Sequence, residues 1–332
     1  MRATLLALAG AACLALCACG ARSASTPAPA PLMLERTIPL AQVSGRIDHL
    51  AIDPARRKLF VAELGNGSVE ALDLATGRSL GRIGGLNEPQ GLGFLPKRDE
   101  LVVATAGDGM LRFYRAADLR LVGALKLGED ADDVRVDPQT GRVLVGFGKA
   151  LAIVDPATRT LVRSIPLAAH PEGFQARSER AFVNLPGARA VAALDFAEGR
   201  EVARWRNPGP QMNFPMALNA TGDLAAVVYR LPARLVLFEP STGKAMQQLR
   251  TCGDADDVDF DEARNRLYVI CGSGAVEAFA HSGQTYASAG RVSTRNGART
   301  GLYAAGLDRL YVAAPARGTE PAAIMVYRPT GF

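Results

Sequence analysis

The sequence predicts an all-β fold, a seven-bladed β-propeller, on three observations: a four-strand module, its repetition, and a spare strand that completes the last copy. The module is clearest from Arg46 to Leu86. It holds the apolar runs HLAID (49–53), KLFVAEL (58–64), SVEALDL (68–74) and SLGRIGG (79–85), separated by PARR, GNG and ATGR. Short runs rich in Val, Leu, Ile and Phe, bounded by Gly, Pro and Asn, are strands joined by turns. One such meander cannot bury its faces alone, so it must stack on others. Aligned on the residue that opens the first strand, the copies begin at His49, Gln90, Asp133, Glu172, Pro215, Asp257 and Thr300, spaced by 41, 43, 39, 43, 42 and 43 residues. The second-strand cores recur in step, as KLFVAEL, ELVVATA, RVLVGFG, RAFVNLP, LAAVVYR, RLYVICG and RLYVAAP. A period near 40–45 residues with four strands per unit is the propeller signature.

In chain order, residues 1–19 (MRATLLALAGAACLALCAC) form a secretory leader with a short apolar region, not a membrane span. Its end, Leu16-Cys17-Ala18-Cys19 before Gly20, resembles a bacterial lipobox, which makes Cys19 the lipidated N-terminus of the mature protein. Several acyl chains on one Cys hold a protein on a membrane. Gly20 after the Cys resembles lipoproteins sent to the outer membrane, so the expected location is the periplasm, anchored to that membrane. Residues 20–32 (GARSASTPAPAPL) are an Ala/Pro/Ser tether, and the propeller is placed at 33–332. The segment 33–41 is a strand ahead of the first module, while the seventh module stops after LYAAGL, RLYVAAP and AAIMVYR. The early strand supplies the missing fourth, closes the ring and removes free sheet edges.

The net charge of +5 is spread along the chain with no basic stripe or aromatic platform, which argues against nucleic acid as a partner. Cys252 and Cys271 remain after the leader, in two loops of the sixth module that share a face. An oxidising compartment favours a disulfide between them; free thiols are the alternative.

The RLYV, KLFV and RAFV strands, followed by VEALDLATGR, LAIVDPATRT or LVLFEPSTGK, resemble the YVTN-type repeat of the YncE-type family of secreted bacterial propellers, over about residue 36 to the end. The resemblance implies a seven-bladed binding scaffold, similar in architecture to the β-chain of quinoprotein amine dehydrogenase and to lactonase propellers; a monomer is expected. It does not fix a function.

First strands line a propeller channel and their leading loops form its mouth. Asp48, His49, Glu88, Gln90, Asp132, Asp133, His170, Glu172, Asn213, Asp256, Asp257, Arg299 and Thr300 are therefore the candidate ligand-binding residues. Asp-Ala-Asp-Asp occurs twice, at 130–133 and 254–257. Carboxylates held close either cap turns or recruit a cation, Ca²⁺ or Mg²⁺, or a transition metal if His joins. His49, Asp133, Glu172 and Asp257 are the candidate metal ligands. Arg189, Arg230, Arg234 and Arg317, in the turns between second and third strands, are expected to form a basic rim.

No Gly-x-Ser-x-Gly, His-Glu-x-x-His or P-loop occurs. The expected function is a non-catalytic, envelope-anchored scaffold binding a protein, peptide or small ligand on its upper face. The alternative is a metal-dependent lactonase- or esterase-like hydrolase at the mouth, although the Glu/Asn/Asn/Asp set of lactonase propellers cannot be placed here. A redox partner of a quinoprotein has architectural analogy alone.

Overall fold

The computed structural model describes residues 30–177 and 179–331. The leader, Cys19 and residues 20–29 of the tether lie outside the described residues. Seven four-stranded antiparallel sheets form the blades of a propeller. Six are contiguous in sequence, spanning 50–83, 89–126, 134–166, 174–205, 211–250 and 255–293. The seventh combines Thr300–Ala304, Arg309–Ala314 and Ala323–Pro329 with Leu32–Pro39 as its outermost strand. Each innermost strand touches the next, and that of the seventh blade returns to that of the first, which closes a central channel.

The recurring valine of the second strand explains the stacking. Val61, Val103, Val145, Val183, Val227, Val269 and Val312 are all fully buried. Each faces an innermost-strand residue across the ladder: Leu50, Leu92, Val134, Phe174, Met216, Val258 and Gly301. No blade has a core of its own. The apolar clusters form between neighbours, as where Phe60 and Ala62 of the first blade meet Leu101 and Val103 of the second. A large continuous core is thus distributed over blade junctions, as stacking repeats require.

The closing strand pairs antiparallel with Ala323–Pro329, matching Ile38 with Ile324 and Leu34 with Tyr327. It starts earlier than the sequence suggests. Pro31 and Leu32, assigned above to the tether, belong to the ring: Leu32 packs with Tyr268, Ile270 and Tyr327 between the sixth and seventh blades. Thr330 N–H donates to the Pro31 carbonyl at 3.0 Å. An apolar Leu after a proline run carries no periodicity, so composition alone reads it as linker.

Cys252 and Cys271 are joined by a disulfide, with Cα atoms 5.9 Å apart. It ties the loop leading into the sixth blade to the end of that blade's second strand.

Candidate functional site: an acidic channel mouth

The ladder register orders the residues of the mouth into two rings. One step before the residues that face the valines stand His49, Gly91, Asp133, Gly173, Pro215, Asp257 and Thr300. One step further out stand Asp48, Gln90, Asp132, Glu172, Phe214, Asp256 and Arg299. The sequence alignment set Gln90 and Glu172 level with His49; the ladder places them one ring nearer the mouth, with Gly91 and Gly173 at the His49 level. Both glycines are demanded by crowding. A Cβ on Gly91 would lie 1.8 Å from the Asp132 carbonyl oxygen, and one on Gly173 would lie 2.5 Å from that of Phe214.

His49 occupies the centre of the inner ring. Its Nε2 is 3.8 Å from Asp48 Oδ1 and 3.9 Å from Asp133 Oδ1, and its Nδ1 is 3.9 Å from Asp257 Oδ1. Burial opposes charge on the ring, but Asp133, Asp48, Asp257 and Asp132 outweigh it and raise the pKa to about 9. His49 is therefore an imidazolium at neutral pH. Around it, burial pushes Asp257 well above the usual carboxylate range. Burial and then the nearby Asp48 do the same to Asp132. Glu172 rises to about 7 through burial and the charge of Asp256.

A cavity of about 340 Å³ fills the channel, and a second of about 260 Å³ lies toward the mouth; both are walled by Arg46, Asp132, Glu172, Phe214 and Asp256. Beyond the two rings the channel wall carries the half-buried apolar side chains Ile52, Phe94, Val136 and Leu302 together with Arg135 and Gln175. Asp259, raised to about 6 by burial, accepts from the Tyr303 N–H at 2.9 Å at this depth.

Cations answer some of these carboxylates. Arg46 reaches Asp48 at 2.8 Å, and Arg135 bonds Asp133. Arg230 lies 3.7 Å from the Phe214 ring centroid, bonds Asp256 and donates to the Ala255 carbonyl at 2.9 Å. Arg299 meets Asp254 at 3.1 Å. Others go unanswered. Asp133 is only 3% exposed, yet its Oδ2 has no hydrogen-bond partner, and the same is true of the buried Asp132 Oδ1. The Asp132 and Glu172 side chains make no hydrogen bond or ion pair among the described residues.

The sequence candidates thus separate. Asp48, His49, Asp132, Asp133, Glu172, Asp256 and Asp257 line the channel cavity; Gln90, His170 and Arg299 line the outer one. His170 accompanies Asp130, at 3.5 Å, and the Gly148 carbonyl, at 2.9 Å. Thr300 is buried in the inner ring. Asn213 turns away from the mouth and is structural: its amide donates to Asn184 Oδ1 and to the Ala190 carbonyl, both at 2.9 Å. Glu88 is exposed in a left-handed turn. Of the rim arginines only Arg230 lines the mouth. Arg189 and Arg317 are exposed, and Arg234 donates to the neighbouring Ala233 carbonyl. Arg46, Arg135, Phe214 and Asp259 were missed. Two carried a usable signal, since Arg135 and Asp259 follow Asp133 and Asp257 by two residues and so share a strand face.

Among the described residues, no three His, Cys, Asp or Glu side chains are grouped so as to hold a metal ion, and no helix is long and apolar enough to cross a membrane.

Fold and mouth together define a seven-bladed β-propeller with an acidic, partly unpaired channel opening. Many solved structures share the fold. One is hydrazine synthase of Kuenenia stuttgartiensis, which superposes with a TM-score of 0.74 at 16% identity, covering 87% of this chain and 99% of that one. At that identity the likeness concerns the fold alone. No protein-family model and no curated protein sequence matches the chain, so the YVTN-type resemblance stands on its repeat residues.

Proposed function

We propose that this chain is a non-catalytic binding propeller of the bacterial envelope, held to a membrane through lipid on Cys19 and taking its ligand at the channel mouth. The observation that carries the binding site is the unpartnered Asp133 Oδ2 and Asp132 Oδ1 in the wall of a cavity of about 340 Å³. Buried polar atoms are almost always satisfied, so exceptions gathered at an opening mark a place for another molecule. Binding without chemistry is favoured because, among the described residues, no Ser, Thr, Cys, Lys or Tyr lines that cavity, and its one imidazole is held protonated.

The test is equilibrium dialysis of the soluble 30–332 form against chemically diverse small-molecule and peptide mixtures, beside Asp132→Ala and Glu172→Ala. Enrichment lost in the variants supports the reading; identical enrichment by three folded proteins overturns it. Labelled palmitate incorporated by the full chain, but not by Cys19→Ala, tests the anchor. A metal-dependent hydrolase is the second reading. It draws on Glu172, whose freedom from hydrogen bonds and pKa of about 7 suit a general base. A divalent ion retained through dialysis, with lactone or ester turnover abolished by Asp133→Ala, would favour it.

A further inference from the structure

The two rings are not equally open. On the side of the sixth blade, Arg230 and Arg299 form ion pairs with Asp254 and Asp256, although Asp256 Oδ2 has no hydrogen-bond partner. On the side of the third and fourth blades, Asp132 and Glu172 face the cavity with no cation of their own. Asp133 adds an unpartnered oxygen at 3% exposure. The wall inward of the rings is mixed: Ile52, Phe94, Val136 and Leu302 are apolar, and Arg135, Gln175 and Asp259 share that depth. A hard metal ion would use the carboxylates and gain nothing from the apolar part of that wall. An organic cation uses both, with charge-assisted hydrogen bonds at the rings and apolar contact below.

We infer that the mouth binds an organic cation, an alkylammonium or guanidinium group on an apolar stem, seated between Asp132 and Glu172 with the stem directed down the channel. This rests on the reading of the mouth as a binding site and names the chemistry of its ligand. The molecule itself supplies the model interaction. Arg230, a guanidinium, sits on Phe214 and against Asp256 in the same outer ring, and the open side offers a second such seat. Arg46 is the competitor: its guanidinium pairs with Asp48 while half its side chain stays exposed. It also senses the charges of Asp256, Asp132 and Glu172.

Isothermal titration calorimetry of the soluble form, at low salt and about pH 8 so that screening is weak and Glu172 is ionised, tests the inference. The probes are hexylamine, hexanol, calcium and a short capped peptide bearing one lysine. Hexylamine is expected to bind one site and hexanol not. Asp132→Asn and Glu172→Gln, both nearly isosteric, are each expected to weaken amine binding about tenfold or more, the loss of one charge-assisted hydrogen bond. Arg46→Ala is expected to strengthen it about threefold by removing the competitor. The same pattern with the lysine peptide alone also supports the inference and says that the cation is carried on a side chain. Calcium binding with that dependence on Asp132 and Glu172, without amine or peptide binding, overturns the inference but leaves the mouth a binding site. Amine binding unchanged in all three folded variants, absent throughout, or weakened by Arg46→Ala also overturns it. The dialysis comparison above then judges the broader reading separately.

Discussion

The chain contains Asp-Ala-Asp-Asp twice, and the two copies meet different fates. In the third blade, Asp130 pairs with His170, Asp132 is left without a partner, and Asp133 bonds Arg135 through one oxygen only. In the sixth, Arg230 and Arg299 form ion pairs with Asp254 and Asp256; Asp256, like Asp133, hydrogen-bonds through one oxygen only, and Asp257 accepts from the Gly301 N–H at 2.8 Å. Both copies open alike, with Asp130 and Asp254 in a left-handed conformation at φ 55° and 61°, but the strand begins at Val134 in one and at Ala255 in the other. The neighbours differ. Arg230 comes from the fifth blade and Arg299 from the lead into the seventh, while the blades beside the third offer Gln90, His170 and Glu172 at the mouth. A tetrapeptide therefore sets where carboxylates stand, and the adjoining blades decide whether they are neutralised.

The comparison can be broken from either side. The largest effect is expected from Arg230→Ala. It leaves Asp256 buried and only weakly compensated, turning the closed side into an open one, and should cost about 3 kcal/mol in chemical denaturation. Cys252→Ala with Cys271→Ala comes next. The bridge closes a loop of 19 residues behind Asp254 and Asp256, so its loss should cost about 3 kcal/mol by chain entropy. It should also loosen the sixth-blade copy alone, which hydrogen exchange can read segment by segment. Asp132→Asn acts in the opposite direction. It replaces a carboxyl whose charge burial and Asp48 disfavour, and should stabilise the protein by about 1 kcal/mol where that carboxyl is ionised, at alkaline pH. A loss of stability there would mean that Asp132 has a partner.

The smallest effect is a slope against pH. Glu172 and Asp259 have folded pKa values of about 7 and 6, above their unfolded ones. They favour the folded state when protonated, and that contribution fades as pH rises through those values. His49 is raised as well, to about 9. Its contribution is complete below an unfolded value near 6.5 and is lost as pH climbs through about 9. All three have the same sign, so the melting temperature should decline from about pH 5 to 9. Glu172→Gln should flatten the part below about pH 7; an unchanged curve would show that Glu172 does not titrate differently on folding.

Much of the fold was legible because a propeller writes its period into the chain. The valine of each second strand and the turn chemistry between runs are local signals, and both the closing strand and the seven blades follow from them. The mouth was legible by residue type and less so by level. Gly91 and Gly173 have no side chain to mark their place, and the carbonyls of Asp132 and Phe214 that require them belong to the next blade. Asn213 looked like a ligand and is a brace between strands. Phe214 stands in the outer ring at the position held by Asp48 and Asp132 in their own blades, and Arg46 precedes Asp48 by two residues, so residue type rather than spacing hid them.

The strand Leu32–Pro39 has a consequence in time as well as in space. Among the described strands it is the first to leave the ribosome, and its partner, Ala323–Pro329, is the last. A nascent chain can assemble the first six blades in sequence order, but this strand must wait, unpaired, until Ala323–Pro329 is made. Every partial chain that lacks Ala323–Pro329 thus carries one unpaired strand and one unfinished sheet. A truncated product is marked by that exposed edge, whereas a complete one seals itself in a single late step.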